Sequence, residues 1–330
     1  MAQVAQAARM MTRPAKSFAA LSRCVTNPQP AKHAEVFSEV RERLFQAYAE
    51  RTPTAVRALD ILASRGGSIH NDHMALRSFV DSQGRSGREF FETIFTHFGY
   101  AVEDSLVIPG LCVNARWYEP PEETNWPKIF VSEMRIDELP DPAAEILYRH
   151  VDGFYDVQRA KAALADGAGA VAELLETPPW NPTAQEEQAI RQLGREDPKI
   201  DNAIEYAAWT LTHGHRINHV TILLNTLGLD GVQTLADLNA LLQSQGLEFN
   251  PAGGTDGWTQ GSRAVDLEQS STIADSVEHV FACGSRVTVP CSFLELIQRH
   301  NGFRGFLGQN AKGIFSSTNV QRSSQPAAVA

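Results

Sequence analysis

The chain has 330 residues, with 29 Lys and Arg against 39 Asp and Glu, 43% hydrophobic and 21% charged positions, and a formal charge of −10. That is the composition of a globular protein long enough for a large core, and its acidic surplus argues against non-specific binding to nucleic acid or to an anionic membrane surface, both of which attract a basic face. No stretch approaches the ~18 uninterrupted apolar residues of a spanning helix, so a soluble protein without a membrane partner is expected.

The charge is unevenly distributed. Before Glu35 there is no acidic residue, while Arg9, Arg13, Lys16, Arg23 and Lys32 are all positive; from Glu35 on, 24 basic residues face 39 acidic ones, a formal −15. The Ala-rich, acid-free segment 1–34 reads as a disordered organelle presequence, addressed to the plastid stroma or the mitochondrial matrix. Residues 35–318 form the expected single catalytic domain and 319–330 a flexible tail. Cys24, Cys112, Cys283 and Cys291 include no C-x-x-C pair, which fits a reducing compartment and speaks against a disulfide scaffold or a thiolate zinc site.

From Glu35 the apolar residues Val36, Val40, Leu44 and Tyr48 recur every four positions and predict a helix. Thr52-Pro53 opens a second helix that Gly66-Gly67 closes. Ser68 to Phe79 reads as extended, and Arg88 to Phe98 as a helix with Phe90, Phe91, Ile94, Phe95 and Phe98 on its core face. Leu106 to Tyr118 and Ile129 to Ile136 read as strands on either side of the Pro-rich loop from Glu119 to Pro127. Residues 142–211 read as helical, broken at Gly167, Pro178-Pro179 and Pro198, with Ile204, Ala207, Ala208 and Leu211 as the buried stripe of the last helix. Beyond Gly214 come an extended run from Ile217 to Leu224, a helix from Thr234 to Gln245 stopped by Gly246, a hairpin turn at Gly284-Ser285 and a strand from Cys291 to Arg299. This order is α+β and lacks the alternation of a doubly wound sheet. No G-x-G-x-x-G, P-loop or G-x-S-x-G motif supports a dinucleotide, nucleotide or α/β-hydrolase reading.

Three strands carry residues that chemistry needs. In Asn71-Asp72-His73-Met74-Ala75-Leu76-Arg77-Ser78-Phe79, alternation puts His73, Ala75, Arg77 and Phe79 on one face, with His73 and Arg77 about 13 Å apart. A strand histidine is ordinarily a hydrogen-bonded core residue; the arginine on the same face, across the small Ala75, makes a gap in which a short anion could touch both. The second strand holds His219, while His213 and His215 straddle the preceding turn. The three could be read as a zinc cluster, but only His219 has a platform like that of His73. In the third, Glu295 shares a face with Phe293, Ile297 and Arg299, so its carboxylate needs a cation: either an ion pair with Arg299 or Arg77, or a metal held jointly with His73 and His219. Two imidazoles and one carboxylate suit non-haem Fe(II) and O₂ chemistry. His70 reads as a surface loop residue or a partner near Asp72, and Ser270, Ser271 and Thr272 as a candidate site loop.

These motifs, His-Met-Ala-Leu-Arg-Ser-Phe from His73, Ile-Asn-His-Val-Thr around His219 and Phe-Leu-Glu-Leu-Ile-Gln-Arg around Glu295, resemble the 2-oxoadipate dioxygenase/decarboxylase family of the vicinal oxygen chelate superfamily. The likeness runs from about Glu35 to Ser317. It includes Thr52-Pro53-Thr54-Ala55, Glu205-Tyr206-Ala207-Ala208-Trp209-Thr210-Leu211 and the segment Leu267 to Asp275, and is greatest to compact, organellar plant-type members. Asn301-Gly302-Phe303-Arg304-Gly305-Phe306, with Asn310 and Phe315, is also similar to the C-terminal motif of 4-hydroxyphenylpyruvate dioxygenase. The resemblance implies a twisted, incomplete β-barrel of two halves, with covering helices and a helical insertion, and Fe(II) on His73, His219 and Glu295. It further implies a 2-oxo acid and O₂ as substrates, and conversion of 2-oxoadipate to 2-hydroxyglutarate and CO₂ in lysine breakdown. Arg77, a planar and always-charged fork, is expected to take the distal carboxylate. Two other readings stand beside this one: a dioxygenase for an aromatic 2-oxo acid such as 4-hydroxyphenylpyruvate, and a non-catalytic organellar binding or regulatory protein.

Overall fold

The structure, a computed structural model, describes residues 28–251 and 256–319. Among these an eight-stranded sheet carries the site, in the order β2-β3-β4-β1-β5-β10-β7-β6. Its first half comprises β1 (Asn71–Val80), a helix over Gly87–His97, β2 (Ala101–Ile108), β3 (Val113–Glu119) and β4 (Lys128–Arg135). The second half repeats that plan with β5 (His219–Leu223), a helix over Leu235–Ser244, β6 (Gln260–Ser262), β7 (Leu267–Ser271) and β10 (Phe293–Arg299). In each half the first strand pairs in parallel with the last, β1 with β4 and β5 with β10, while the remaining pairs are antiparallel. Between β7 and β10 a separate hairpin, β8 (Ser276–Val280) and β9 (Arg286–Pro290), turns through Gly284 at φ 79°.

The halves join where β1 runs antiparallel to β5. Met74 pairs with Val220, flanked by His73 with Thr221 and Ala75 with His219. A two-fold axis through the Met74–Val220 pair therefore carries His73 onto His219 and Asp72 onto Asn218. The result is the incomplete barrel expected from the sequence, with open edges at β2 and β6. β1 is buried over nearly its whole length, as a central strand covered on both faces must be.

The helices follow local signals. α1 (Pro28–Arg51) is followed by α2 (Pro53–Ser64), which has proline in its first turn and buries Ala55, Ala58, Leu59 and Leu62. α3 (Gly87–His97) is capped by Ser86, whose side chain accepts from Glu89 N. The insertion between the halves supplies α4 (Asp141–Val151), α5 (Val157–Asp166), α6 (Ala168–Glu176), α7 (Ala184–Glu196) and α8 (Asp201–His213). Its interruptions at Gly167 and around Pro178-Pro179 and Pro198 fall where the sequence put them. α9 (Leu235–Ser244) starts from a capping box between Thr234 and Asp237, and α10 (Gly308–Ile314) closes the described chain before a 3₁₀ turn over Phe315–Thr318.

Four expectations need correction. Leu106 to Tyr118 is not one strand, because Gly110 at φ 75° and Cys112 at φ 55° make a tight turn that separates β2 from β3. The boundary at 34/35 falls inside α1, which begins at Pro28; the stacked rings of His33 and His97 tie its first turns to α3. Most of the segment read as a presequence, residues 1–27 with Cys24, lies outside the described residues. At the other end Asn319 is buried and donates to Asp201 Oδ2, so the domain reaches one residue into the segment read as a tail, whose remainder, 320–330, lies outside the described residues. The helices over 142–211 do more than cover the outside. α8 is buried from Ala203 to His213 and presents Glu205, Tyr206 and Trp209 to Arg77.

The two histidines ahead of β5 are structural. His213 Nε2 lies 2.8 Å from the carbonyl of Pro290. His215 is packed by the rings of Phe90, Phe91, Phe154, Tyr155 and Trp180, with its Nε2 3.0 Å from Tyr155 Oη. Burial pushes the His215 pKa down to about 3. The unfolded chain takes up this proton near pH 6.5 and the folded chain only near 3, so the unfolded state binds more protons in between and stability falls as pH drops through that window. At pH 5 the loss from this side chain is about 2 kcal/mol, from 1.36 kcal/mol per unit below the unfolded pKa. Denaturant unfolding of the wild type and of His215→Phe between pH 7 and 5 should therefore show a shallower pH dependence in the variant by that amount; equal slopes would mean that His215 titrates normally in the fold.

Candidate metal centre

The strand register assembles the site. Thr221 pairs with His73 on one side and with Glu295 on the other, and Glu295 pairs in turn with Ser271, so these four side chains form a row across β1, β5, β10 and β7. His219 stands two residues from Thr221 on β5 and projects from the same face. Glu295 Oε2 lies 3.2 Å from His73 Nε2 and 3.0 Å from His219 Nε2. Among the described residues this is the one group of three or more His, Cys, Asp or Glu side chains able to share a metal ion, with one ligand atom from each and all of these within 4.8 Å of one another. Two ligand atoms bonded at about 2.1 Å to a common ion, at right angles to each other, stand about 3.0 Å apart, so the donor set and the two spacings from Glu295 are compatible with a shared metal ion. All three side chains are buried.

The neighbours orient these three side chains. Each histidine is held by the residue before it: His73 Nδ1 is 2.9 Å from Asp72 Oδ1, and His219 Nδ1 is 3.0 Å from Asn218 Oδ1. These oxygens accept, which places the proton on Nδ1 and leaves the Nε2 lone pairs facing Glu295. Glu295 accepts from Thr221 Oγ1 at 3.0 Å and from Gln269 Nε2 at 2.6 Å. Burial opposes ionisation of Glu295, but when the two imidazoles also carry a proton on Nε2 their charge and hydrogen bonds outweigh it and hold the carboxyl well below the usual carboxylate range. His73 is likewise opposed by burial yet raised on balance by Glu295 and Asp72, whereas burial prevails at His219 and lowers it. Behind Asp72, Arg299 donates twice, from Nε and Nη2, both at 2.8 Å. The ring of Phe306 stands edge-on to His73 at 4.8 Å between centroids and packs against Phe130 and Trp117, which makes an apolar wall.

Arg77 lies one turn of the pleat beyond Ala75 on the ligand face of β1. It is 1% exposed, donates from Nη1 to Glu205 Oε2 at 3.3 Å and from Nη2 to Thr318 Oγ1 at 3.2 Å, and is enclosed by the rings of Tyr206, Trp209 and Phe315. Its Nε and Glu205 Oε1 are both buried without a partner. The ion pair of Glu295 with Arg77 or Arg299 is not formed: Glu295 faces the imidazoles, and the two arginines bind Glu205 and Asp72.

The remaining candidates are placed as follows. His70 touches β5 through its backbone carbonyl, which accepts from Leu223 N, and it is Asp72 that partners His73. A cluster of His213, His215 and His219 does not exist, since the first two point to Pro290 and Tyr155. Ser270 and Ser271 lie in β7 and not in a loop; Ser270 donates to Asn239 Oδ1, and Ser271 shares a 2.6 Å hydrogen bond with Ser317. Residue-type reasoning passed over Thr221 and Gln269, although the period-two rule applied from His219 would have found the threonine. The contact of Glu205 with Arg77 joins a helix to a strand 128 residues away, which no local pattern records.

A curved sheet of two like halves thus encloses a buried two-histidine, one-carboxylate cluster able to share a metal ion. The fold matches that of a protein described as a glyoxalase superfamily protein from Ralstonia eutropha with a TM-score of 0.64, at 20% identity over 93% of this chain and 98% of that one. The sequence model of the 2-oxoadipate dioxygenase/decarboxylase family matches residues 26–302. A curated relative from Oryza sativa subsp. japonica, the chloroplastic/amyloplastic 2-oxoadipate dioxygenase/decarboxylase, is 30% identical over 311 residues, 86% of this chain and 79% of its own length. The crystal structure of the Oryza sativa hydroxyglutarate synthase in complex with 2-oxoadipate superimposes with a TM-score of 0.71, at 25% identity over 95% of this chain and 100% of that one. The chain belongs to the 2-oxoadipate dioxygenase/decarboxylase family.

A metal bound only by the folded cluster must stabilise the fold. At a hundredfold excess over its dissociation constant the gain is about 2.7 kcal/mol. Anaerobic Fe(II) should thus raise the melting temperature of the wild type and leave that of Glu295→Gln unchanged; an equal rise in both would place the ion elsewhere.

Proposed function

We propose that the chain is an Fe(II)-dependent dioxygenase that converts 2-oxoadipate and O₂ to 2-hydroxyglutarate and CO₂, with His73, His219 and Glu295 as the metal ligands and Arg77 as the residue that binds substrate. The observation that carries this reading is the buried three-ligand cluster with Arg77 four residues farther along the same strand face. Three protein ligands leave positions for a chelating 2-oxo acid and for O₂, and a bound Fe(II) would supply the electrons that O₂ activation requires. The balance is complete: the carboxyl next to the keto group leaves as CO₂, one oxygen atom enters the new carboxylate at the former keto carbon, and the other becomes the hydroxyl on the carbon beside it.

The protein's own groups have separable tasks in this reading. Asp72 and Asn218 keep the Nδ1 protons in place and the Nε2 atoms free. Thr221 and Gln269 hold both carboxylate oxygens of Glu295. Arg77 offers its unpartnered Nε, beside the Nη2 held by Thr318, to the distal carboxylate of a six-carbon diacid, while Glu205 fixes the far side of the guanidinium. Phe306, Phe130 and Trp117 exclude water from the His73 side. Glu205 pairs with Arg77 whatever the substrate, but the guanidinium's free Nε, together with the activity by which the relatives are named, supports a diacid over an aromatic 2-oxo acid. Organellar import is part of the same proposal. The acid-free residues that precede α1 fit an address, and the rice relative, named as chloroplastic/amyloplastic, supports the plastid.

Oxygen uptake by anaerobically Fe(II)-loaded protein should depend on 2-oxoadipate and yield 2-hydroxyglutarate, with little uptake from 4-hydroxyphenylpyruvate or without substrate. Uptake driven by the aromatic acid would replace the substrate assignment, and no uptake with either acid would favour the binding protein. Arg77→Met should raise KM for 2-oxoadipate more than tenfold with iron content intact; loss of iron would show that Arg77 serves the metal site.

A further inference from the structure

The two halves of the sheet place their histidines equivalently, but they back them differently. The two-fold axis through Met74 and Val220 carries Asp72–His73 onto Asn218–His219, with matching Nδ1 contacts of 2.9 and 3.0 Å. Behind His73 stands a carboxylate; behind His219 stands a neutral amide. The carboxylate is buried and held by Arg299, which donates to both of its oxygens at 2.8 Å. The same guanidinium reaches farther. Its Nη1 donates to the Gly305 carbonyl at 2.7 Å, and its Cζ lies 5.1 Å from the centroid of the Phe306 ring, itself 4.8 Å from the centroid of the His73 ring. Arg299 thus fixes two things that touch His73: the acceptor of its Nδ1 proton and the aromatic wall beside its ring.

We propose that Arg299 is a positioning residue of the metal centre, acting through Asp72 to make His73 the stronger donor of the two imidazole ligands. An ionised carboxylate on Nδ1–H draws the proton outward and enriches Nε2, whereas an amide only orients the ring. Without Arg299 a carboxylate would be costly at this depth, so the bidentate pair is what lets β1 carry the charged form. The inference rests on the reading of His73 as a metal ligand.

The experiment separates a ligand effect from a fold effect. Asp72→Asn gives His73 the kind of neutral acceptor that His219 has, but strands Arg299; Arg299→Gln strands Asp72; the double variant Asp72→Asn/Arg299→Gln leaves two neutral groups able to hydrogen-bond. Dissociation constants for Co(II), its visible spectrum in the site, and metal-free melting temperatures are measured for all three and for the wild type. Expected are a tenfold to hundredfold weaker Co(II) affinity in every variant, a shifted Co(II) spectrum in the double variant, and recovery of metal-free melting temperature in the double variant relative to both singles. Wild-type affinity and spectrum in the double variant would overturn the proposal and reduce Asp72–Arg299 to a structural ion pair. Should a single variant fail to fold, the double variant decides alone. Failure of the wild type to bind Co(II), or binding that survives His73→Ala unchanged, would instead overturn the ligand assignment on which the inference stands.

Discussion

Everything in the site depends on one pairing, the antiparallel contact of β1 with β5 centred on Met74 and Val220. Because side chains alternate with a period of two, a slip of one residue would turn His219 and Thr221 to the opposite face and leave His73 and Glu295 without their common neighbour. The parallel pairing of β5 with β10 then sets Glu295 beside Thr221. Register, more than any single contact, brings together a carboxylate and two imidazoles that would be expensive to bury one at a time.

The duplicated plan also accounts for the number of side chains in the cluster. Phe293 pairs with His219, and Glu295 lies two residues beyond it on β10. In the first half Lys128 pairs with His73, and two residues beyond it on β4 stands Phe130, packed against Phe306. The position equivalent to the carboxylate is thus an aromatic ring, so one half brings two side chains to the cluster and the other brings one and an apolar wall. A symmetric scaffold gives an unsymmetric cluster.

How much of this could be read from the sequence depended on the reach of each signal. His73, His219 and Glu295 stood out because ionisable residues inside apolar strands violate the ordinary cost of burial, and Arg77 because period two put it on the face of His73. The helices were legible from caps and breakers such as Thr52-Pro53, Gly167 and Gly246. Alternation alone reads Leu106 to Tyr118 as one strand, but Pro109-Gly110 inside it is a turn signal that splits it in two. Glu205, Gln269 and Arg299 do their work across long stretches of chain, through contacts with Arg77, Glu295 and Asp72. Such partners leave no periodic trace, and Thr and Gln in strands are too common to draw notice.

The insertion between the two halves has a consequence for how the protein comes to be folded. β1 to β4 are contiguous enough to pair as soon as residue 135 is made, but β1 must keep its other edge free until β5 arrives, more than 80 residues later, and Glu295 is supplied only by the last strand of the sheet. Contacts of such sequence separation form late and slowly. A nascent chain therefore presents one imidazole, then two, and completes its metal-binding set only when the sheet itself is complete, so metal capture is coupled to the closing of the fold and partly assembled chains are poor competitors for the ion.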